Sequence, residues 1–160
     1  MLSKIKDNYS KLLKSKEFKN SGFLCSIFLM SDINEVDNSK WQIDFYDESS
    51  DSITSYYMST QIEVIPKSKV FKEESTKIEE LKLDDVKIEF NEIYEKTNKL
   101  LEKYGDKVVK IIVILQNQRH PVWNISYFTN RFNLLNIKLD ARNGKVIEKK
   151  LIPLLSFKKE

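Results

Sequence analysis

The chain says one thing twice. Trp41-Gln42-Ile43-Asp44-Phe45-Tyr46 and Trp123-Asn124-Ile125-Ser126-Tyr127-Phe128 stand 82 positions apart. The same offset carries Ile53 onto Leu135, Tyr57 onto Leu139, Val64 onto Val146 and Ile65 onto Ile147. A repeat of this length constrains the fold more than any other feature, because each copy is expected to be built in the same way. With 160 residues and 41% hydrophobic content there is material for one ordinary domain or two small ones, each with a core.

Each copy reads as a helix followed by extended segments. Leu2, Ile5, Tyr9, Leu12 and Leu13 fall near helical spacing over residues 2–18, with lysines over the remaining surface. Strands are expected at about 23–31, 40–47 and 53–71, the last either bent or broken in two. In the second of these, Trp41, Ile43 and Phe45 alternate with Gln42, Asp44 and Tyr46, the pattern of a strand with one buried face. The charged stretch 72–83 has no clean period and reads as a linker. The pattern then restarts. Asp84 or Asp85 is expected to cap a helix whose face is Phe90, Ile93, Thr97, Leu100, Leu101 and Tyr104, with Gly105 as its stop. Strands follow at about 107–116, 122–129, 133–140 and 145–152, and Asn143-Gly144 predicts a two-residue type I′ hairpin turn between the last two.

These elements predict an α+β protein of two tandem repeats, each a helix packed on a three- or four-stranded antiparallel sheet. The first repeat spans 1–71, the linker 72–83 and the second repeat 84–160. Phe23 through Met30 and Val108 through Leu115 are apolar toward both sides, so these two strands are expected at the contact between copies, with neither face open to water.

The second copy runs Trp123-Asn124-Ile125-Ser126-Tyr127, then Leu135-Asn136-Ile137-Lys138-Leu139-Asp140-Ala141-Arg142-Asn143-Gly144-Lys145-Val146-Ile147. This aromatic-led strand and its Asp-Ala-x-Asn-Gly-Lys-Val hairpin resemble the PepSY family and PepSY-like modules of peptidase propeptides and other proteins. The resemblance implies a cystatin-like packing of helix on antiparallel sheet, and modulation or inhibition of a peptidase, or peptide binding. It implies no shared catalytic residues. The first copy departs from the motif, with Met58 and Ile62 in place of the hairpin aspartate and glycine.

Composition excludes several functions. Glycines stand only at 22, 105 and 144, so no glycine-rich phosphate loop can form. A net charge of +3 does not call for nucleic acid, and 24 lysines against three arginines lack the guanidinium forks favoured for base and phosphate reading. The apolar run around Cys25 is far shorter than the ~20 residues of a membrane helix, and no secretory pattern opens the chain, which predicts a cytoplasmic protein.

Cys25 reads as a buried reduced thiol, with pairing to the sole histidine, His120, as its functional alternative. His120 itself reads as a solvated turn residue. With one histidine and one cysteine, no metal site and no cofactor are expected. Asp84-Asp85 and Glu79-Glu80 read as solvated charge rather than acid–base pairs. Trp41 and Trp123 share a face with apolar neighbours and read as core.

The reverse faces of the aromatic-led strands carry the candidate site. Asn124, Ser126 and Phe128 beside Asn136, Lys138 and Asp140 would form a polar sheet surface with an aromatic at one end, repeated in Gln42, Asp44 and Tyr46. The expected function is a non-enzymatic module that binds a protein or peptide on an exposed sheet face or edge. The alternatives are a small-ligand or enzymatic domain with a pocket between helix and sheet, and a structural protein that self-associates as a homodimer.

Overall fold

The computed structural model describes residues 2–19, 22–69 and 77–155. Helix α1 (Ile5–Leu13) precedes strands β1 (Phe23–Asp32), β2 (Gln42–Asp47), β3 (Ser52–Met58) and β4 (Ile62–Lys69). Helix α2 (Phe90–Leu101) precedes β5 (Val108–Gln118), β6 (His120–Thr129), β7 (Asn133–Asp140) and β8 (Val146–Pro153). Short 3-10 turns occupy Ile33–Asn38 and Leu83–Asp85. Of the expected linker, residues 72–76 lie outside the described residues.

The strands form one eight-stranded antiparallel sheet in the order β4-β3-β2-β1-β5-β6-β7-β8. The expectation of two tandem cystatin-like repeats, each a helix on its own small sheet, is therefore corrected. The physical reason lies in the most apolar strands. β1 and β5 pair with each other from Ser26 opposite Gln116 to Asp32 opposite Lys110. Two separate sheets would each leave such a strand as a free apolar edge, whereas joining them satisfies both backbones and leaves β4 and β8 outermost among the described residues.

A single core runs along one face. Ile27, Leu29, Ile43, Ile111, Val113, Leu115, Ile125 and Ile137 are all at most 1% exposed. Trp41 and Trp123 meet there with ring centroids 6.1 Å apart, and Phe90 of α2 packs against both, at 5.4 and 5.7 Å. Such aromatic contacts add to the stabilisation that burial alone supplies.

The helices are tied to each other as well. Glu89, which precedes α2, accepts hydrogen bonds from the backbone N–H groups of Ile5 (3.1 Å) and Lys6 (3.3 Å), so its carboxylate caps the first turn of α1. Asp84 and Asp85, expected to cap α2, lie instead in the preceding 3-10 turn. Leu81, within the expected linker, is 2% exposed and donates its backbone N–H to Leu24 O at 2.8 Å.

The 82-residue offset holds for β2 on β6 and fails beyond. Four residues separate β2 from β3, Glu48 to Asp51, but only three separate β6 from β7, Asn130 to Phe132. Tyr46 therefore pairs with Ile53, while Phe128 pairs with Leu134 rather than Leu135. One residue of slip turns every side chain to the other face. Tyr57 thus faces away from the core although Leu139 lies in it, and Met58 takes the position equivalent to Leu139.

Two local expectations also change. The hairpin between β7 and β8 forms, but around a longer turn than type I′: Gly144 N–H bonds Asp140 O at 2.7 Å and, of the two turn residues, only Gly144 has positive φ, at 78°. β1 and β5 do meet, yet each leaves one face open. Met30 is 54% exposed and Phe28, Ile112 and Ile114 are half-buried, so the reading of two covered faces fails.

Candidate binding face

Both helices pack on the core side of the sheet, through contacts such as Tyr9 with Phe45 and the hydroxyls of Thr97 and Tyr127. The opposite face carries the polar positions singled out in the sequence. Asn124, Ser126 and Phe128 project from β6, and Asn136, Lys138 and Asp140 from β7. Register places Asn124 opposite Lys138, Ser126 opposite Asn136 and Val122 opposite Asp140. The six residues therefore share one surface, as strand alternation requires.

Three of these side chains hold one another, and Lys138 and Asp140 are held by residues outside the six. The Asn136 amide donates to Asn124 Oδ1 at 2.6 Å and to Ser126 Oγ at 3.0 Å. Lys138 Nζ lies 3.7 Å from Glu148, which also holds Lys150 at 2.7 Å. Asp140 is the least available of the six, at 7% exposed. Its carboxylate accepts from Arg142 Nη2 at 2.8 Å and from the Arg142 backbone N–H at 2.9 Å, and His120 Nδ1 lies 3.5 Å away. The hydrogen bonds from the Arg142 side chain are the main reason its pKa is held down at about 2. His120, expected in a solvated turn, opens β6 beside this carboxylate with its side chain 25% exposed.

The first half of the face has a different hub. The Asp44 carboxylate, 8% exposed, accepts from Ser26 Oγ at 2.8 Å, from Gln42 Nε2 at 2.9 Å and from Ser55 Oγ. Cys25 sits in the β1 bulge beside it and donates its thiol to Asp44 O at 3.4 Å. Burial first, and the Asp44 charge second, push the thiol up to about 12. Its recorded partners are Ser26 and Asp44, and His120 turns instead to Asp140.

Between the two hubs lies what sequence reasoning missed. Phe28 stands opposite Ile114 and Met30 opposite Ile112, making an aliphatic and aromatic strip in the middle of the open face. The signal was present in the apolar runs, but it reads equally as two-sided burial. Only the sheet order shows that one side is left uncovered.

A cleft of about 660 Å³ lies between α1 and residues 80–85, over Phe18 and Phe45. Trp41, Trp123, Tyr56 and Tyr127 are at most 1% exposed.

No protein-family model matches the chain, and no curated protein is significantly similar to it. A crystal structure described as a putative lipoprotein from Clostridium difficile 630 is similar in fold, with a TM-score of 0.52 at 15% identity, over 91% of this chain and 86% of that one. Among the described residues no helix is long and apolar enough to cross a membrane.

Proposed function

We propose that the protein is a non-enzymatic binding module that holds a protein or peptide partner on the open face of its sheet. The observation that carries this reading is the strip Phe28, Met30, Ile112 and Ile114, set between two polar hubs whose side chains are already held in place. An apolar patch with a polar rim is how binding surfaces are commonly built, and preordered side chains lower the entropy lost on association. The resemblance of residues 123–147 to PepSY modules makes a peptidase the first partner class to test. Cytoplasmic residence belongs to the same proposal, supported by the lone free thiol.

The test is capture from a native lysate with immobilised wild type and with a Met30→Asp, Ile112→Asp variant. The two positions stand opposite each other on the open face, so the paired carboxylates should lower the melting temperature, and capture is run well below it on folded variant. A partner held by wild type through moderate salt and lost by the variant supports the reading. Recovery of no partner at any salt concentration, or equal recovery by the variant, removes it. Fractionation of cells checks the compartment, since a lipid-anchored protein would sediment with membranes.

A further inference from the structure

We infer that the outer edge of β8 accepts an extended acidic peptide as a ninth strand, with one aliphatic side chain of that peptide seated between β8 and the end of α2. The inference shares with the proposed function only the premise that the protein binds polypeptide. It uses a separate surface.

β8 pairs with β7 on one side, and among the described residues no strand lies on its other side. Its backbone there is a template for strand addition. The residues that β8 turns toward the helices are unusually open. Val146 and Leu151, opposite the buried Leu139 and Leu135, are 41% and 50% exposed, because α2 stops short of covering the last strand. At that margin lies a pocket of about 180 Å³ walled by Leu101, Tyr104, Val108, Leu135 and Leu151. Its polar end is Asp106, which accepts from Asn133 Nδ2 at 2.8 Å. The size and lining suit one aliphatic side chain. In strand addition, backbone hydrogen bonds give affinity and such a pocket selects among side chains.

Charge decides the kind of peptide. Lys145, Lys149 and Lys150 lie in or beside β8 with one acid among them, Glu148, which pairs with Lys150 at 2.7 Å. The edge therefore keeps a net positive charge from Lys145 and from Lys149, whose Nζ lies 5.5 Å from the centroid of the Tyr104 ring. An acidic strand fits this edge. A second copy added through the same edge would bring two edges of net positive charge together, which an acidic strand does not.

The other edge lacks these features. β4 carries Pro66 in mid-strand, where it has no N–H to donate, whereas the proline of β8, Pro153, is its last residue and leaves residues 146–152 with their N–H groups. The cavity near its start is lined by Lys11, Lys14, Lys16, Glu17 and neighbouring polar residues, with Ile62 as the aliphatic contact.

The test uses a synthetic peptide of alternating glutamate and leucine, capped at both ends, and the same peptide N-methylated at every second residue. Binding is followed by amide chemical shifts of the full chain. Shifts are expected at residues 146–152 and at Leu101 and Tyr104, with affinity about tenfold lower for the N-methylated peptide. Leu151→Trp, which fills the pocket from a half-exposed position, should lower affinity about tenfold at an unchanged melting temperature. Equal binding of the N-methylated peptide, shifts confined to β4 or to the open face, or no shifts at about 1 mM peptide would overturn the inference. So would concentration-dependent dimerisation through β8 without peptide. The Met30→Asp, Ile112→Asp variant should bind this peptide like wild type, so a failure of the open-face reading and a failure at β8 give different results.

Discussion

The two halves of the sheet agree on the side facing the helices and differ on the side facing away. Trp41 donates its indole N–H to Ser3 O and Trp123 donates to Ile88 O, each at 2.9 Å, and each acceptor stands two residues ahead of its helix. On the open face the equivalent positions are Asp44 with Ser55, and Ser126 with Asn136. The first pair is built around a nearly buried carboxylate and the second around a neutral amide. A shared core holds both indoles to one geometry. The open face has no such packing requirement, so its chemistry is free to diverge. A partner lying across both hubs would meet a charged half and a neutral half.

Glycine substitutions test how far the halves differ in tolerance. A Cβ at Gly22 would lie 1.9 Å from Tyr46 O, at a φ of 78°, so Gly22→Ala should cost about 3 kcal/mol or more by urea denaturation. Gly144 shares that φ, but the nearest atoms to its added Cβ are 3.8 Å away, and Gly144→Val should cost about 1 kcal/mol. Equal losses would show that the close backbone approach at Gly22 is misplaced.

The indoles come next. Trp41→Phe and Trp123→Phe should each cost about 2 kcal/mol, from lost volume and from a carbonyl left without its donor. A double-mutant cycle should give a coupling of at least ~0.5 kcal/mol, since the rings are neighbours. Strict additivity would mean that the halves pack independently.

Glu89→Ala removes the cap that α2 lends to α1 and should cost about 1 kcal/mol, with faster hydrogen exchange at the amides of Ile5 and Lys6. Unchanged exchange there would break the proposed link between the helices.

Acid should act on the second half through Asp140. Its folded pKa, about 2, lies below the ordinary 3.8, so its contribution is full above the unfolded value and is lost as pH falls through about 2. After allowance for solvent screening it is about 1 kcal/mol, and Asp140→Asn should flatten the stability profile between about pH 4 and 2. The smallest effect belongs to Cys25. With its thiol pushed up to about 12, alkylation at neutral pH should follow unfolding of the first half and proceed no faster. Rapid alkylation of the folded protein would contradict its burial beside Asp44.

Much of this was legible in the chain. Alternation in Trp41 to Tyr46 and Trp123 to Phe128 assigned the side that faces the helices, and the structure keeps it, although on the reverse side of β2 Asp44 and Tyr46 are buried too, at 8% and 4% exposed. The helices and most strands fall near their expected positions. Residues 53–71 contain two strands joined by Ser59, Thr60 and Gln61, as far as the described residues extend. What misled was the constant offset, because a single extra residue in the turn after β2 reverses the face of all that follows.

The sequence by itself determined where strands form and which side of β2 and β6 faces the helices, since period-2 patterning is a local property of the chain. It also placed five polar residues of β6 and β7, with Phe128, on a common surface. Only the tertiary structure decided that β1 and β5 join the halves into one sheet, because pairing between residues as far apart as Ser26 and Gln116 leaves no local signature. Met30 is left exposed on the joined sheet, for an apolar side chain in a strand is buried only if some other part of the fold reaches it, and among the described residues none reaches the outer side of β8 with a further strand.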